Sequence, residues 1–375
     1  MTKDSEIFIG VMTGTSMDGI DIAAAKFNTD NIEILSMGEY SFSPELQQYL
    51  LNLKDKTTLQ EISQLNVRFA DEVANAINLF LKENGINKED VNSIGFHGQT
   101  VWHQPDSIEF VGQKTASTYQ IGSAAQLAIK TGINVVSNFR EADIALEGQG
   151  APLVPIFDYS YLKLESEDTI VLNIGGIANI TYLPKGAGKS DVIAFDTGPG
   201  NCLIDMIAAK SFGKSYDAGG EIAKSGKLDE SLLSKLMNED YISAKYPKST
   251  GKELFNNDFI DRYNTHELKD EDLLCTLTHF TAKSIAQNIG QVTNNNYRLL
   301  VAGGGAKNNF LIELIESYSN QKTERIVLDG KDITGSREAL LMAQLAYLRV
   351  NELPGNIPSV TGARREVVLG SATLS

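Results

Sequence analysis

The chain has 375 residues, 42% of them hydrophobic and 22% charged, with a formal net charge of −15. These proportions are ordinary for a globular protein, and the length predicts two domains, because single cores stop growing near about 250–300 residues. An acidic balance of this size argues against nucleic-acid and anionic-membrane partners. No apolar run reaches the roughly 20 residues of a membrane span. The first residues lack a signal-peptide layout. The two cysteines, Cys202 and Cys275, form no framework pattern. A cytoplasmic protein is expected.

In chain order, Ile7–Met12 reads as a strand and Ile20–Phe27 as its hairpin partner, around Thr13-Gly14-Thr15-Ser16-Met17-Asp18-Gly19. Thr58-Leu59-Gln60-Glu61 is a capping box. The spacing of Leu59, Ile62, Leu65, Phe69, Val73, Ile77 and Phe80 then predicts a long amphipathic helix that Gly85 stops. Ile94–Phe96 is a short strand leading into His97-Gly98-Gln99-Thr100. In the middle of the chain, residues 169–174 and 177–183 read as strands around Gly175-Gly176. Residues 192–195 lead into Asp196-Thr197-Gly198-Pro199-Gly200-Asn201. A helix is expected over 273–292, a strand over 298–302 ending in Gly303-Gly304-Gly305, and a helix over 336–350 capped by Ser336. Each half opens with strand, turn and strand, then alternates helices and strands, which is an α/β pattern with two similar halves. The expected domains are 1–136 with 358–375, and 137–357.

Three glycine-bearing turns follow apolar strands, at 13–19, 173–179 and 303–305. Such turns aim backbone N–H groups at an anion; one alone is an ordinary hairpin, whereas three in one chain point to a nucleotide. A Walker A loop is missing, because Leu183 stands where Gly188-Lys189-Ser190 would need its leading glycine. No Rossmann glycine pattern is present either.

Long segments then carry a family resemblance: 14–21 (GTSMDGID), 95–100 (GFHGQT), 148–155 (GQGAPLVP), 172–176 (LNIGG), 195–201 (FDTGPGN) and 303–306 (GGGA). The chain resembles the anhydro-N-acetylmuramic acid kinases from residue 7 to about residue 372. That resemblance implies the two-domain actin-like ATPase (ribonuclease H-like) fold with a ligand cleft between domains; ligand groups expected from both halves, Thr15 and Ser16 in one and Asn173 and Gly304 in the other, predict that the domains close on their ligands. It implies ATP and Mg²⁺ as cofactors, a small-molecule sugar as the partner, and a homodimer. The reaction it implies is conversion of 1,6-anhydro-N-acetylmuramic acid, ATP and water to N-acetylmuramic acid 6-phosphate and ADP, in recycling of cell-wall sugars.

Among the residues, Gly14, Thr15, Ser16, Met17, Asp18, Gly19, Ile20, Asp21, Asn173, Gly175, Gly176, Gly303, Gly304 and Gly305 are expected to line the nucleotide. Asp196 ends an apolar strand before a Gly-Pro-Gly turn, at the strand edge where open α/β sheets bind ligands. It is the expected general base, and the resemblance places the base at the same position. The alternative is a carboxylate that only stabilises its turn. Met12 stands where the wider superfamily has a metal-holding Asp, which leaves Asp18 or Asp21 as the metal ligand. His97, which hydrogen-bonds sugar or backbone, and Gln99 are expected at the sugar, and the resemblance implies that Arg140 and Asp143 face it and that Glu338 borders the cleft. Their local alternatives are a surface ion pair for Arg140 and Asp143 and a helix-dipole partner for Glu338. His103 is read as structural, with Trp102 packing nearby. Asn173 and Asn179 flank the second glycine turn, as phosphate contacts or as turn stabilisers. Lys248-Ser249-Thr250-Gly251-Lys252 resembles a phosphate loop but lacks a preceding strand, which favours a solvated loop.

Overall fold

Ile7, Ile9 and Val11 face one way from the first strand and Phe8 and Gly10 the other, and all five are buried. Both faces of that strand are therefore covered, as in a sheet with helices on each side. The computed structural model describes residues 6–14, 17, 19–28, 31–53, 57–263 and 265–375, with only the backbone of His266. The chain divides into two compact units, Met1–Tyr161 with Leu328–Ser375, and Leu162–Val327.

The first unit begins with β1 (Ile7–Met12), β2 (Ile20–Phe27), β3 (Ile32–Tyr40), α1 (Pro44–Leu51), α2 (Leu59–Glu83) and β4 (Val91–Phe96). A long hairpin follows, β5 (Gln99–Phe110) and β6 (Gln113–Ile121), then α3 (Ala124–Thr131), β7 (Asn134–Ser137), α4 (Glu141–Ala145) and α5 (Pro155–Tyr161). The capping box forms: Glu61 N donates to the Thr58 hydroxyl at 3.2 Å and Thr58 N to the Glu61 carboxylate at 2.8 Å. The buried stripe of α2, Leu65, Phe69, Val73, Ile77 and Phe80, packs with Ile7, Ile9, Val11 and Ile22. The helix stops where Gly85 turns to φ 62°.

The second unit runs β8 (Asp168–Ile174), β9 (Ile177–Leu183), β10 (Ile193–Pro199), α6 (Cys202–Phe212), α7 (Glu221–Ser225), α8 (Glu230–Met237) and α9 (Asp240–Ser243). It continues with α10 (Asn257–Asp261), α11 (Asp270–Val292), β11 (Tyr297–Ala302), α12 (Asn309–Ser319) and β12 (Thr323–Arg325). Its sheet order is β10-β9-β8-β11-β12, with β8, β9 and β10 antiparallel and β8, β11 and β12 parallel. The first unit's sheet reads β3-β2-β1-β4-β7 in the same sense, extended by a final strand Ser371–Thr373 antiparallel to β7. Each unit thus repeats a three-strand meander followed by two parallel strands. This is the ribonuclease H-like order of the actin-like ATPase fold expected from the sequence.

The chain then returns to the first unit as α13 (Arg337–Val350). This helix rests on the sheet through two glycines that lie side by side in the β1–β4 register, Gly10 and Gly95. A Cβ on Gly10 would sit 1.8 Å from the Ala339 carbonyl oxygen, and one on Gly95 1.9 Å from that of Met342. At the start of α13, buried Arg337 donates to fully buried Asp158 of α5 at 3.2 Å. Removing either partner would strand a charge in the interior.

Several expectations shift here. The units divide at 161/162 and 327/328, not at 136/137 and 357/358. Residues 337–350, expected in the second domain, belong to the first because the glycine-lined strands and Asp158 receive them. Ser336 occupies the N-cap position, but its side chain makes no capping hydrogen bond. The hairpin β5–β6 is irregular in register at Thr100/Trp102 and Gln104/Ile108, which erases the period-2 signal. Trp102 and His103 lie exposed on it, the ring Nδ1 of His103 being 3.0 Å from the Thr118 hydroxyl.

Gly95→Ala is expected to destabilise the first unit by about 1–3 kcal/mol, because the obstacle is helix backbone. Gly290 in α11 has nothing within 4 Å of a Cβ, so Gly290→Ala is expected to stabilise the second unit by about 0.5–1 kcal/mol. Urea unfolding followed by circular dichroism checks both; equal midpoints for the two variants would refute the close-packing account.

Candidate active site

In the second unit, three chain turns converge. β8 ends at Asn173 and turns through Gly175-Gly176 into β9. The N-terminus of α6 closes on that turn: Gly200 N and Cys202 N donate to the Gly176 carbonyl at 2.9 and 3.0 Å, and Asn201 N to that of Gly175 at 2.8 Å. β11 ends at Ala302, beside Asn173 in register, and Gly303 leaves at φ 82°. A Cβ on Gly303 would meet the Ile174 carbonyl oxygen at 2.6 Å and Asn173 Oδ1 at 2.9 Å. One on Gly305 would meet Ile174 Cγ2 at 2.3 Å and Asn201 Oδ1 at 3.0 Å. Gly304 differs, with nothing within 4 Å. Gly303 and Gly305 are therefore glycines for packing, whereas the space beside Gly304 is open. The structure thus brings Asn173, Gly175, Gly176, Gly303, Gly304 and Gly305 together. Lys252, from the loop after α9, lies within 4.0 Å of the Cβ position of Gly176.

Asp196 sits on β10 opposite Asn179 of β9, and a register shift between Asp196 and Gly198 bends the strand there. One carboxylate oxygen accepts from Thr250 N at 2.9 Å. Burial pushes the carboxyl up to about 6, and Glu253 adds to the rise; the Thr250 N–H and the Lys248 ammonium oppose it. A carboxylate of this kind is still a base at neutral pH yet holds a proton better than a solvated one. Asp205 on α6 is also pushed up to about 6 by burial, with Lys252 opposing.

The residues that fix Asp196 escaped the sequence reading. Helix α11 presents Thr281, Ser284 and Asn288 to the shifted end of β10 and the turn after it. Thr281 donates to the Gly200 carbonyl at 3.0 Å, and Ser284 and Asn288 donate to that of Thr197 at 2.8 and 3.1 Å. Their signal was available: polar residues recur at i, i+3 and i+7 inside a helix whose other inward positions are apolar. On the other side, Tyr241 donates its phenol proton to the Asp196 main-chain carbonyl at 2.9 Å. Nothing in the local sequence marks Tyr241. The 248–252 segment, expected as a solvated loop, instead bonds directly to Asp196.

The first unit assembles a second set. Buried His97 donates from Nδ1 to the Gly98 carbonyl at 2.6 Å, so its Nε2 is an acceptor. It accepts from Arg140 Nε at 3.1 Å and Nη2 at 2.9 Å. Burial and the adjacent guanidinium pull the imidazole down to about 3, so it is neutral. Burial also draws Arg140 down to about 10, with Glu338 of α13 opposing, and the guanidinium stays charged at pH 7. Arg140 Nη1 donates to the Gly150 carbonyl at 2.7 Å. Gln99 is buried with an Oε1 that accepts no hydrogen bond among the described residues.

Asp143 departs from the expectation of a sugar-facing carboxylate. It is fully buried, and its oxygens accept from Gly150 N, Asn356 Nδ2 and the Thr361 hydroxyl, each at 2.8 Å. A Cβ on Gly148 would lie 2.1 Å from its Oδ2. The Gly-Gln-Gly segment is wrapped around this carboxylate, which shapes the loop that carries Arg140 rather than meeting solvent.

Of the first glycine turn, Thr15, Ser16 and Asp18 lie outside the described residues, Asp18 being the expected metal ligand. Gly14 accepts from Met17 N at 3.1 Å, Met17 packs its side chain on the core, and Ile20 is buried; Met17 and Ile20 thus offer a ligand only backbone. Gly19 approaches Tyr40 and Glu39, and Asp21 pairs in register with Met12 and Glu39. Among the described residues, no three His, Cys, Asp or Glu side chains gather as a metal site, and no helix is long and apolar enough to cross a membrane.

A family model described as anhydro-N-acetylmuramic acid kinase matches residues 6–375. The anhydro-N-acetylmuramic acid kinase of Pasteurella multocida (strain Pm70) is 40% identical over 380 residues, which cover 99% of this chain and 97% of that protein. Among solved structures, the activator of the 2-hydroxyisocaproyl-CoA dehydratase from Clostridium difficile with bound ADPNP overlaps 92% of this chain and 98% of its own, at 13% identity and a TM-score of 0.43. The ROK hexokinase from Thermus thermophilus overlaps 92% and 99%, at 14% identity and a TM-score of 0.37. The two full-length sequence matches decide the matter: the chain belongs to the anhydro-N-acetylmuramic acid kinase family.

Proposed function

We propose that this chain phosphorylates 1,6-anhydro-N-acetylmuramic acid at O6 while opening the anhydro bridge with water, in recycling of cell-wall sugars. The observation that carries the reading is Asp196, a half-buried carboxylate with a raised pKa at the register shift of β10, in the unit whose glycine turns suit a nucleotide. Water adds to the anomeric carbon, the bond from that carbon to O6 breaks, O6 takes the phosphoryl group, and Asp196 takes the proton from the water. When bound, ATP supplies the γ-phosphoryl group and magnesium neutralises phosphate charge. In this proposal Asn173 and the backbone around Gly176 and Gly304 hold the phosphates. Arg140, held by neutral His97, and Glu338 orient the sugar hydroxyls. Asp143 acts at one remove, by shaping the Arg140 loop. Asp18 and Asp21 would be the protein's contributors to holding the metal.

Asp196→Asn is expected to lower kcat by about 10²–10⁴-fold, with KM for ATP little changed. Ring opening and ADP release should fail together. Incubation with ATP, magnesium and the anhydro-sugar, following ADP and sugar product, measures both. Near wild-type turnover would remove Asp196 as the base. The substitution also has a stability signature. The native carboxyl keeps its proton up to about 6, against an ordinary value of 3.8. Ionisation between these values therefore costs native stability as pH rises, and the cost stays constant above the folded value. The unfolding midpoint of the variant minus that of wild type should grow from about pH 4 to pH 7 and then level; a flat difference would contradict the raised pKa.

Gly304→Ala should fold with a wild-type melting temperature, because a methyl there meets nothing. It should raise KM for ATP by about tenfold or more if phosphate approaches that backbone, a loss of roughly 1.4 kcal/mol. Unchanged ATP affinity by calorimetry would move the nucleotide away from the 303–305 turn.

A further inference from the structure

β10 is the edge strand of its sheet, and at Asp196 that edge is covered by residues 241–250 rather than by another strand. Asp196 N donates to the Lys248 carbonyl at 3.3 Å, its carbonyl accepts from the Tyr241 phenol at 2.9 Å, and its Oδ2 accepts from Thr250 N at 2.9 Å. The strap is itself closed by one side chain. Lys248 Nζ donates to the Tyr241 and Ile242 carbonyls, in the short helix α9, at 2.9 and 3.3 Å. The ammonium also lies 4.8 Å from the ring centre of Tyr241 and 5.9 Å from that of Phe195, the residue before Asp196.

We propose that Lys248 is a positioning residue for the proposed base: it closes the 241–250 strap that fixes the backbone and carboxylate of Asp196, and it sets the charge against which that carboxylate ionises. This rests on the reading of Asp196 as base. The groups that bear on the carboxylate are few. Lys248 and Glu253 carry opposite charges, and the Tyr241 phenol and Thr250 N–H lie on the same segment. β9 presents neutral Asn179 opposite, and α11 presents neutral Ser284 and Asn288 to the adjoining Thr197 carbonyl. Burial pulls the ammonium down to about 8, with Asp196 opposing that fall. Two partly desolvated groups of opposite sign therefore each hold the other charged. Remove the ammonium, and the carboxylate loses its favourable partner while Glu253 remains. Its pKa must then rise, and the basic form must appear only at higher pH.

The test is kcat/KM for the anhydro-sugar against pH, at saturating ATP and magnesium, for wild type, Lys248→Met, Lys248→Arg and Asp196→Asn. The acid limb of Lys248→Met is expected to move up by about one pH unit, and that of Lys248→Arg to stay near wild type. Carbon-13 NMR reads the same group without turnover. The carboxyl resonance lost in Asp196→Asn should titrate higher by the same amount in Lys248→Met. An unmoved limb and resonance in Lys248→Met would overturn the proposal, even with Asp196→Asn inactive. An active Asp196→Asn would instead sink the base assignment, and the resonance would still decide whether Lys248 tunes the carboxylate. Should Lys248→Met fail to fold, Tyr241→Phe decides. It keeps the ammonium anchor but frees the Asp196 carbonyl, so a several-fold fall in kcat with unchanged KM for ATP is expected, and wild-type kcat refutes the strap.

Discussion

Where the register of β10 shifts between Asp196 and Gly198, the Thr197 carbonyl leaves the ladder, and that of Gly200 lies just past the strand's end, both in a place where water cannot serve them. A buried carbonyl without a donor costs about 1–3 kcal/mol, and this turn buries at least two, at Thr197 and Gly200. Helix α11 meets both with Thr281, Ser284 and Asn288, fully buried side chains that would otherwise weaken a core helix. Much of the second unit follows from that arrangement. The clamped loop delivers the N–H groups of Gly200, Asn201 and Cys202 to the carbonyls of the Gly175-Gly176 turn. Asn201 also places its side chain against Gly305. Base, helix start and two glycine turns are thereby held as one rigid object.

The first unit solves a similar problem with a charge at the centre. Asp143 gathers donors from its own loop, Gly150, and from one distant stretch of chain, Asn356 and Thr361. A fully satisfied buried carboxylate fixes a loop more sharply than an apolar contact, because each hydrogen bond has a direction. Arg140 gains from that order. Its guanidinium is tied to the Gly150 carbonyl and to a neutral His97, and neither partner cancels its charge. The result is a cation held in place yet still able to attract an anionic or hydroxyl-rich ligand.

Local signals were legible where one segment carries its own instructions. β1, β2, the capping box at Thr58 and the length of α2 could be read from residue spacing, and so could the strands that end in glycine turns. What could not be read depends on partners far apart in the chain. Arg140 and Asp143, three residues apart, look like a surface ion pair, and nothing nearby announces that Asn356 and Thr361 will enclose the carboxylate. Helix 337–350 was placed in the wrong unit because its seat is a pair of glycines more than 200 residues earlier. The β5–β6 hairpin was missed because its irregular pairing leaves Trp102 and Phe110 exposed where alternation would bury them. Among the glycines, sequence marks all three of 303–305 alike, and only the packing separates Gly304 from its neighbours.

The placement of α13 also sets an order of events during synthesis. Residues 162–327 are one continuous stretch and can fold as soon as they leave the ribosome, whereas the first unit is built from both ends of the chain. Its strands β1 and β4 emerge early, but the face carrying Phe8, Gly10 and Gly95 has no helix to cover it until residue 350 has been made. At roughly 5–20 residues per second, that apolar face waits on the order of ten seconds or longer after β4 appears. A nascent chain of this design can finish its second unit before its first, and the face of its early sheet stays uncovered throughout that interval.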